Sequence, residues 1–217
     1  MAILGLVGII YFSFPIFSYY VFLRHVYAQT TFETPIPTST VLTGSSLANL
    51  VTSQTQKLTG EDLTDAQNWF PNYAPEATAP RVKSYNISIP KIGIADAYVS
   101  TTDYDVGSHL INYGGTAIPP EKGNAVVFGH STLPSLFDPT DYKTIFAKLH
   151  MLKVGDEIVA TANGKKYTYK VTSLSVVDPN DFKPLTQSYD NSYLTLITCT
   201  PPGTIWQRLI VRAKLEV

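Results

Sequence analysis

Residues 155–177, GDEIVATANGKKYTYKVTSLSVV, constrain the fold of this chain more than any other stretch. Asn163-Gly164 is the pair best suited to a type I′ turn, which needs positive φ at both central positions, and β-forming residues alternate on either side. A hairpin has two open edges, and each must be paired or covered. The neighbouring runs can do this. NISIPKIGIADAYVS places apolar residues at Ile87, Ile89, Ile92 and Ile94, with Pro90 marking a bend. GNAVVFGH is a short apolar run behind a Gly-Asn turn, as in a buried strand. YLTLITC and WQRLIVRAKLEV supply two final strands. Between them, DPTDYKTIFAKLHML predicts a short helix, with Asp138 as N-cap, Pro139 at N1, and Tyr142, Ile145, Phe146 and Leu149 on one face. Residues 81–217 therefore predict a mainly β domain: a closed or nearly closed barrel of seven to eight strands with one or two short helices.

What precedes the barrel differs in kind. Residues 1–23 contain no charged side chain, and as a helix they would reach about 34 Å, enough to cross a hydrocarbon core of about 30 Å. Tyr19, Tyr20 and Tyr27 bracket the far end, followed by Arg24 and His25 as a polar edge. Residues 1–28 predict an N-terminal transmembrane anchor; a cleaved signal peptide ending at Val26-Tyr27-Ala28 is the other reading. Arg24 lies after the span with no basic residue before it, so charge bias alone would put the C-terminal part inside the cell. Residues 29–80 are dense in Thr, Ser and Pro and predict a semi-extended stalk. Within it, residues 58–74 predict a short helix capped by Thr59 or Thr64, whose Trp69, Phe70 and Tyr73 are suited to docking on the barrel; a flexible spacer with exposed aromatics is the other reading. With 16 basic and 17 acidic residues, the chain has no general attraction for nucleic acid.

The single cysteine, Cys199, ends a strand just before Pro201-Pro202-Gly203. Tyr193, Thr195, Ile197 and Cys199 share one strand face; Leu194, Leu196 and Thr198 share the other. If the last two strands pair across the loop, Arg208 comes level with Cys199, and Arg212 lies about 13 Å further along at 3.3 Å per residue. A cysteine nucleophile needs a proton partner and a donor for a developing oxyanion. Of the four histidines, His25 reads as interfacial, and His109 and His150 as ordinary loop or helix-end residues. His130 differs: it ends an apolar strand, and Gly129 before it permits close backbone approach or an unusual turn. On these residues alone, Cys199 reads more readily as a small buried hydrophobe than as a nucleophile.

Taken together, the pieces resemble the sortases. Thr195-Leu196-Ile197-Thr198-Cys199 matches the TLxTC signature of that family, with Arg208 nine positions on. Gly115-Thr116-Ala117 and Gly123–His130 resemble the segment that bears the family's catalytic histidine. Residues 87–92 and the hairpin from Lys153 to Pro179 are also similar, so the likeness covers roughly residues 81–217.

The resemblance implies a transpeptidase acting on an LPxTG-type C-terminal sorting motif. Cys199 would attack the carbonyl between Thr and Gly to give an acyl-thioester, His130 would serve as general acid and base, and Arg208 would hold the oxyanion or position the peptide. Ile197, Thr198 and Trp206 are the expected substrate-binding residues. The implied partners are surface proteins bearing the motif, an amine acceptor (a cell-wall precursor or a pilin lysine) and the lipid bilayer, with the catalytic domain on the extracellular face. No cofactor and no metal site is carried over. An Asp-Pro-aromatic lid, common in pilin-assembling members, is absent between residues 29 and 80, which favours surface anchoring over pilus polymerisation. The subclass stays open among C-, D- and E-like members. Two rivals are a cysteine hydrolase using the same residues and a non-catalytic, membrane-tethered barrel serving in adhesion or assembly.

Overall fold

A computed structural model describes Phe14 and residues 64–70 and 82–216 of the chain. The expected anchor (apart from Phe14) and most of the expected stalk lie outside the described residues, among which no helix is long and apolar enough to cross a membrane.

Eight strands close into one barrel: β1 (Ser84–Ile89), β2 (Ile94–Ser100), β3 (Leu110–Asn112), β4 (Gly123–Phe128), β5 (Glu157–Ala162), β6 (Lys165–Val177), β7 (Ser192–Thr200) and β8 (Gln207–Leu215). Around the barrel the order is β1-β2-β3-β4-β7-β8-β6-β5, so every edge is paired. The β5–β6 hairpin turns at Asn163 (φ 50°) and Gly164 (φ 74°), the two positive dihedrals that its sequence predicts. Most neighbours are antiparallel, but β2–β3 and β4–β7 run parallel. The β4–β7 pair joins residues far apart in sequence, Ala125 opposite Leu194 for example, which local patterns do not reveal.

The sheet buries side chains on both faces along one side. Leu110, Ala125, Val127, Leu194, Leu196, Leu209, Val211 and Ala213 fill the barrel interior. Their strand neighbours Ile111, Val126, Phe128, Ile197, Cys199 and Ile210 point outward, into a second cluster completed by Ala66, Trp69, Phe70 and Leu185. This explains why β4 and β7 read as apolar runs rather than alternations: strands covered on both faces have no wet side. Buried Asn124 fastens the β6–β7 connection across this side. Its Nδ2 donates to the carbonyl of Pro184 at 2.8 Å, and its Oδ1 accepts from Thr195 Oγ1 at 2.6 Å. In the interior, the phenols of Tyr85 and Tyr169 reach Asn112 (2.7 Å) and Ser192 (2.8 Å), so neither buried hydroxyl is left unpaired.

The helix expected over 138–152 does not form. The segment winds through successive turns closed by i to i+3 bonds, such as Thr144 N–H to Asp141 C=O at 2.9 Å and Ala147 N–H to Thr144 C=O at 2.9 Å. Ile145, Phe146 and Leu149 are nonetheless buried and Tyr142 packs on the core, so the apolar spacing was read correctly and the backbone was not. The cause is competition for main-chain groups. Thr144 Oγ1 donates to the Asp138 carbonyl (3.0 Å), Asp141 takes the Lys143 N–H (3.0 Å), and Phe146 N–H donates to the His130 carbonyl at 3.0 Å instead of joining an α-helical ladder. In the segment before β1, Ala66–Trp69 forms one 3-10 turn; its N-cap is Asp65, which accepts from Gln67 N–H at 2.8 Å, rather than the threonines expected.

Candidate active site

Cys199 and Arg208 face each other as register partners on β7 and β8, as the strand-pairing argument requires. Arg212 pairs with Thr195 and lies over the Tyr193 ring at 4.3 Å, away from the sulfur's level. On the other side of β7, the β4 pairing runs to Phe128 opposite Ile197 and is extended by a bond from Gly129 N–H to the Ile197 carbonyl at 3.2 Å. His130, two residues past Phe128, is therefore level with Cys199, two past Ile197. Three adjacent strands thus bring sulfur, imidazole and guanidinium to one end of the barrel.

The local chemistry holds them there. A Cβ on Gly129 would lie 2.5 Å from Leu110 Cδ2 and 2.6 Å from Phe146 Cδ2, so the glycine permits close packing rather than an unusual dihedral. Thr198 Oγ1 donates to the Gly129 carbonyl at 2.7 Å, and Ser131 Oγ donates to the Cys199 carbonyl at 2.7 Å. These bonds tie the strand ends bearing the imidazole and the thiol to each other. Burial pushes the Cys199 thiol up, and the Arg208 guanidinium offsets part of that rise. The thiolate is the nucleophilic form, so the thiol proton has to leave for the sulfur to attack.

Arg208 is buried too. One terminal nitrogen donates to the carbonyls of Ile205 (2.9 Å) and Gln207 (3.3 Å), and the other to the carbonyl of Trp69 (3.2 Å). Its Nε–H has no partner among the described residues, although it is shielded from solvent. Leaving a buried donor unpaired costs about 1–3 kcal/mol.

The remaining expected residues fall in different places. Ile197 is wholly buried in the outer cluster and Thr198 is spent on Gly129, so their side chains position the strand end. Trp206 is 58% exposed on the loop between β7 and β8, beside exposed Ile205. Exposed Leu136 lies on the loop that follows His130, and that loop meets the β7–β8 loop where a Cβ on Gly203 would lie 3.3 Å from Leu133. These exposed apolar side chains lie on the loops that continue from the strand ends bearing His130 and Cys199. Of the other histidines, His109 pairs with Asp103 at 3.3 Å, and His150 is held by the Ala147 carbonyl at 3.1 Å with its pKa lowered by burial; His25 lies outside the described residues. No group of three or more His, Cys, Asp or Glu suited to a metal exists among the described residues.

Sequence reasoning missed the extent to which Trp69 belongs to this site. Trp69 and Phe70 have no exposed surface, and burying such rings contributes about 1.5–3 kcal/mol each. The Trp69 ring lies 5.6 Å from the His130 ring and 5.3 Å from Phe128, with the Arg208 guanidinium 5.5 Å from its centroid. The docking of Trp69 and Phe70 was legible; contact with two members of the trio was not. The Asp-Pro-aromatic pattern is indeed missing, yet this part of the chain still borders the site.

Three comparisons bear on this arrangement. The family model "Sortase domain" matches residues 87–216. Sortase A of Streptococcus agalactiae is 30% identical over 143 residues, a match covering 63% of this chain and 56% of that protein. The chain thus spans little more than half the length of this curated relative. Among solved structures, a Clostridium perfringens Sortase D5 transpeptidase is 31% identical with a TM-score of 0.53, covering 62% of this chain and 79% of that one. Sortase A from Corynebacterium diphtheriae is 27% identical with a TM-score of 0.56, covering 80% of this chain and 84% of that one. The matched region contains Cys199, His130 and Arg208, and the chain belongs to the sortase family.

Proposed function

We propose that the chain is a cysteine transpeptidase that cleaves an LPxTG-type sorting motif between Thr and Gly and transfers the acyl part to an amine at the cell surface. The observation that carries this reading is the Cys199–Arg208 register pair, with a buried Nε–H that has no partner among the described residues. Cys199 Sγ attacks the threonyl carbonyl carbon as the thiol proton passes to His130. Arg208 Nε–H donates to the oxygen on which negative charge develops. The C–N bond breaks, the departing glycyl nitrogen takes the proton from His130, and a thioester remains on Cys199. An incoming amine attacks that thioester, gives its proton to His130 and forms the new amide; the proton then returns to the sulfur. Two half-reactions through a covalent enzyme predict ping-pong kinetics.

The exposed apolar rim of Leu136, Ile205 and Trp206 suits the leucyl and prolyl side chains of such a motif. An enzyme of this kind meets its protein substrates at the membrane, and the charge-free residues 1–23 serve as its anchor, with the barrel on the extracellular face. The acceptor is a cell-wall precursor or a pilin lysine. The test is mass spectrometry of the protein after incubation with a library of LPxTG-type peptides. Native protein acquires an acyl adduct and Cys199→Ala does not. Adding an amine converts the adduct to a new amide; release to water alone, whatever the amine, would make the protein a hydrolase. No adduct on native protein sinks the proposal.

A further inference from the structure

Arg208 is steered by three carbonyls, and only two of them belong to its own loop. The third, from Trp69, comes from a segment upstream of the family match, which begins at residue 87. A guanidinium is planar, so fixing both terminal nitrogens also fixes where Nε–H points. The Trp69 indole lies against Arg208 and against His130, at 5.5 Å and 5.6 Å. One residue therefore touches the donor and the acid–base group on opposite sides of Cys199.

The segment is built in rather than laid on. Ala66 N–H donates to the Tyr104 carbonyl at 2.9 Å, Val106 N–H donates to the Thr64 carbonyl at 2.9 Å, and Asp65 bridges Asp105 in antiparallel fashion. Ala66, Trp69 and Phe70 are fully buried in the outer cluster. Phe70 packs on Phe128 and Phe182.

The geometry points to Trp69 as a positioning residue for the transpeptidation: its carbonyl orients Arg208, its ring holds the His130 imidazole, and together they form a fixed wall of the site. This rests on the reading under Proposed function. A removable cover that occupies Arg208 until substrate arrives predicts the opposite kinetics, because thinning such a cover speeds turnover.

The test compares Trp69→Ala, Trp69→Phe and Phe70→Leu with the native chain, at matched folded fraction. The readouts are kcat and KM for an LPxTG-type peptide and an added amine. Trp69→Ala lowers kcat about tenfold to hundredfold, as small misplacements of reacting groups do, with KM changed by less than about threefold. Trp69→Phe, which restores a ring beside His130, recovers most of the loss. Phe70→Leu disturbs the same cluster without touching Arg208 or His130 and keeps kcat. A rise in kcat/KM in Trp69→Ala, or an equal kcat loss in Phe70→Leu, overturns the assignment. Proton NMR of the His130 ring gives a readout that needs no turnover. Its resonances and titration midpoint move in Trp69→Ala and stay in Phe70→Leu; unchanged signals in Trp69→Ala refute the contact even if the native chain forms no adduct.

Discussion

The two faces of the β3-β4-β7-β8 side of the barrel are both buried, and they are built in different ways. The inner face is aliphatic and supplied by strands, with residues such as Leu110, Val127, Leu194 and Val211 interlocking across the barrel. The outer face draws on aromatic residues from outside the sheet, Trp69 and Phe70 among them, and it contains the thiol. The same strands alternate between the two, so Leu196 and Cys199 differ in task although both lie on β7. The inner face is closed by strand residues alone, whereas the outer face needs residues from outside the sheet to cover Cys199.

Substitutions on the two faces sharpen this contrast. The largest effect is expected at Arg208. Arg208→Ala loses about 10²–10³-fold in kcat, as when an oxyanion donor is removed, while Arg212→Ala, stacked on Tyr193, changes it less than about threefold. Peptide cleavage assays measure both, and equal losses break the register argument. Next, Leu194→Ala on the inner face costs about 3 kcal/mol of stability in urea unfolding, with kcat of the folded fraction unchanged. A parallel fall in kcat would mean that the interior also tunes the chemistry. Third, alkylation of Cys199 rises with pH to a midpoint above that of an ordinary cysteine, because burial disfavours the thiolate; Arg208→Ala moves it higher by removing the positive charge. A midpoint at or below the ordinary value shows that the guanidinium outweighs burial. The smallest effect is at Gly164→Ala, where φ of 74° costs a side chain about 1 kcal/mol of stability and leaves alkylation unaltered.

The same contrast accounts for what could be read from sequence. The hairpin at Asn163-Gly164 was legible because turn type and strand alternation are local. So was the Cys199–Arg208 pairing, since a short loop leaves few registers. The parallel β4–β7 ladder was not, because Ala125 and Leu194 carry no local sign of each other. His130 became a site candidate through the family likeness more than through its own neighbours. Trp69 sits in a polar stretch with no apolar period, so its docking was readable from its aromatic character but its carbonyl bond to Arg208 was not. The α-helix expected over 138–152 failed where aspartate and threonine side chains took the main-chain groups that the helix needed.

That failure has a consequence for anyone who would regularise the protein. The Phe146 amide is anchored to the carbonyl of His130 at 3.0 Å. Rewriting residues 138–149 as an ideal helix former would draw this amide back into its own coil and leave the imidazole's backbone unmoored. A sturdier segment would come at the expense of a slacker catalyst.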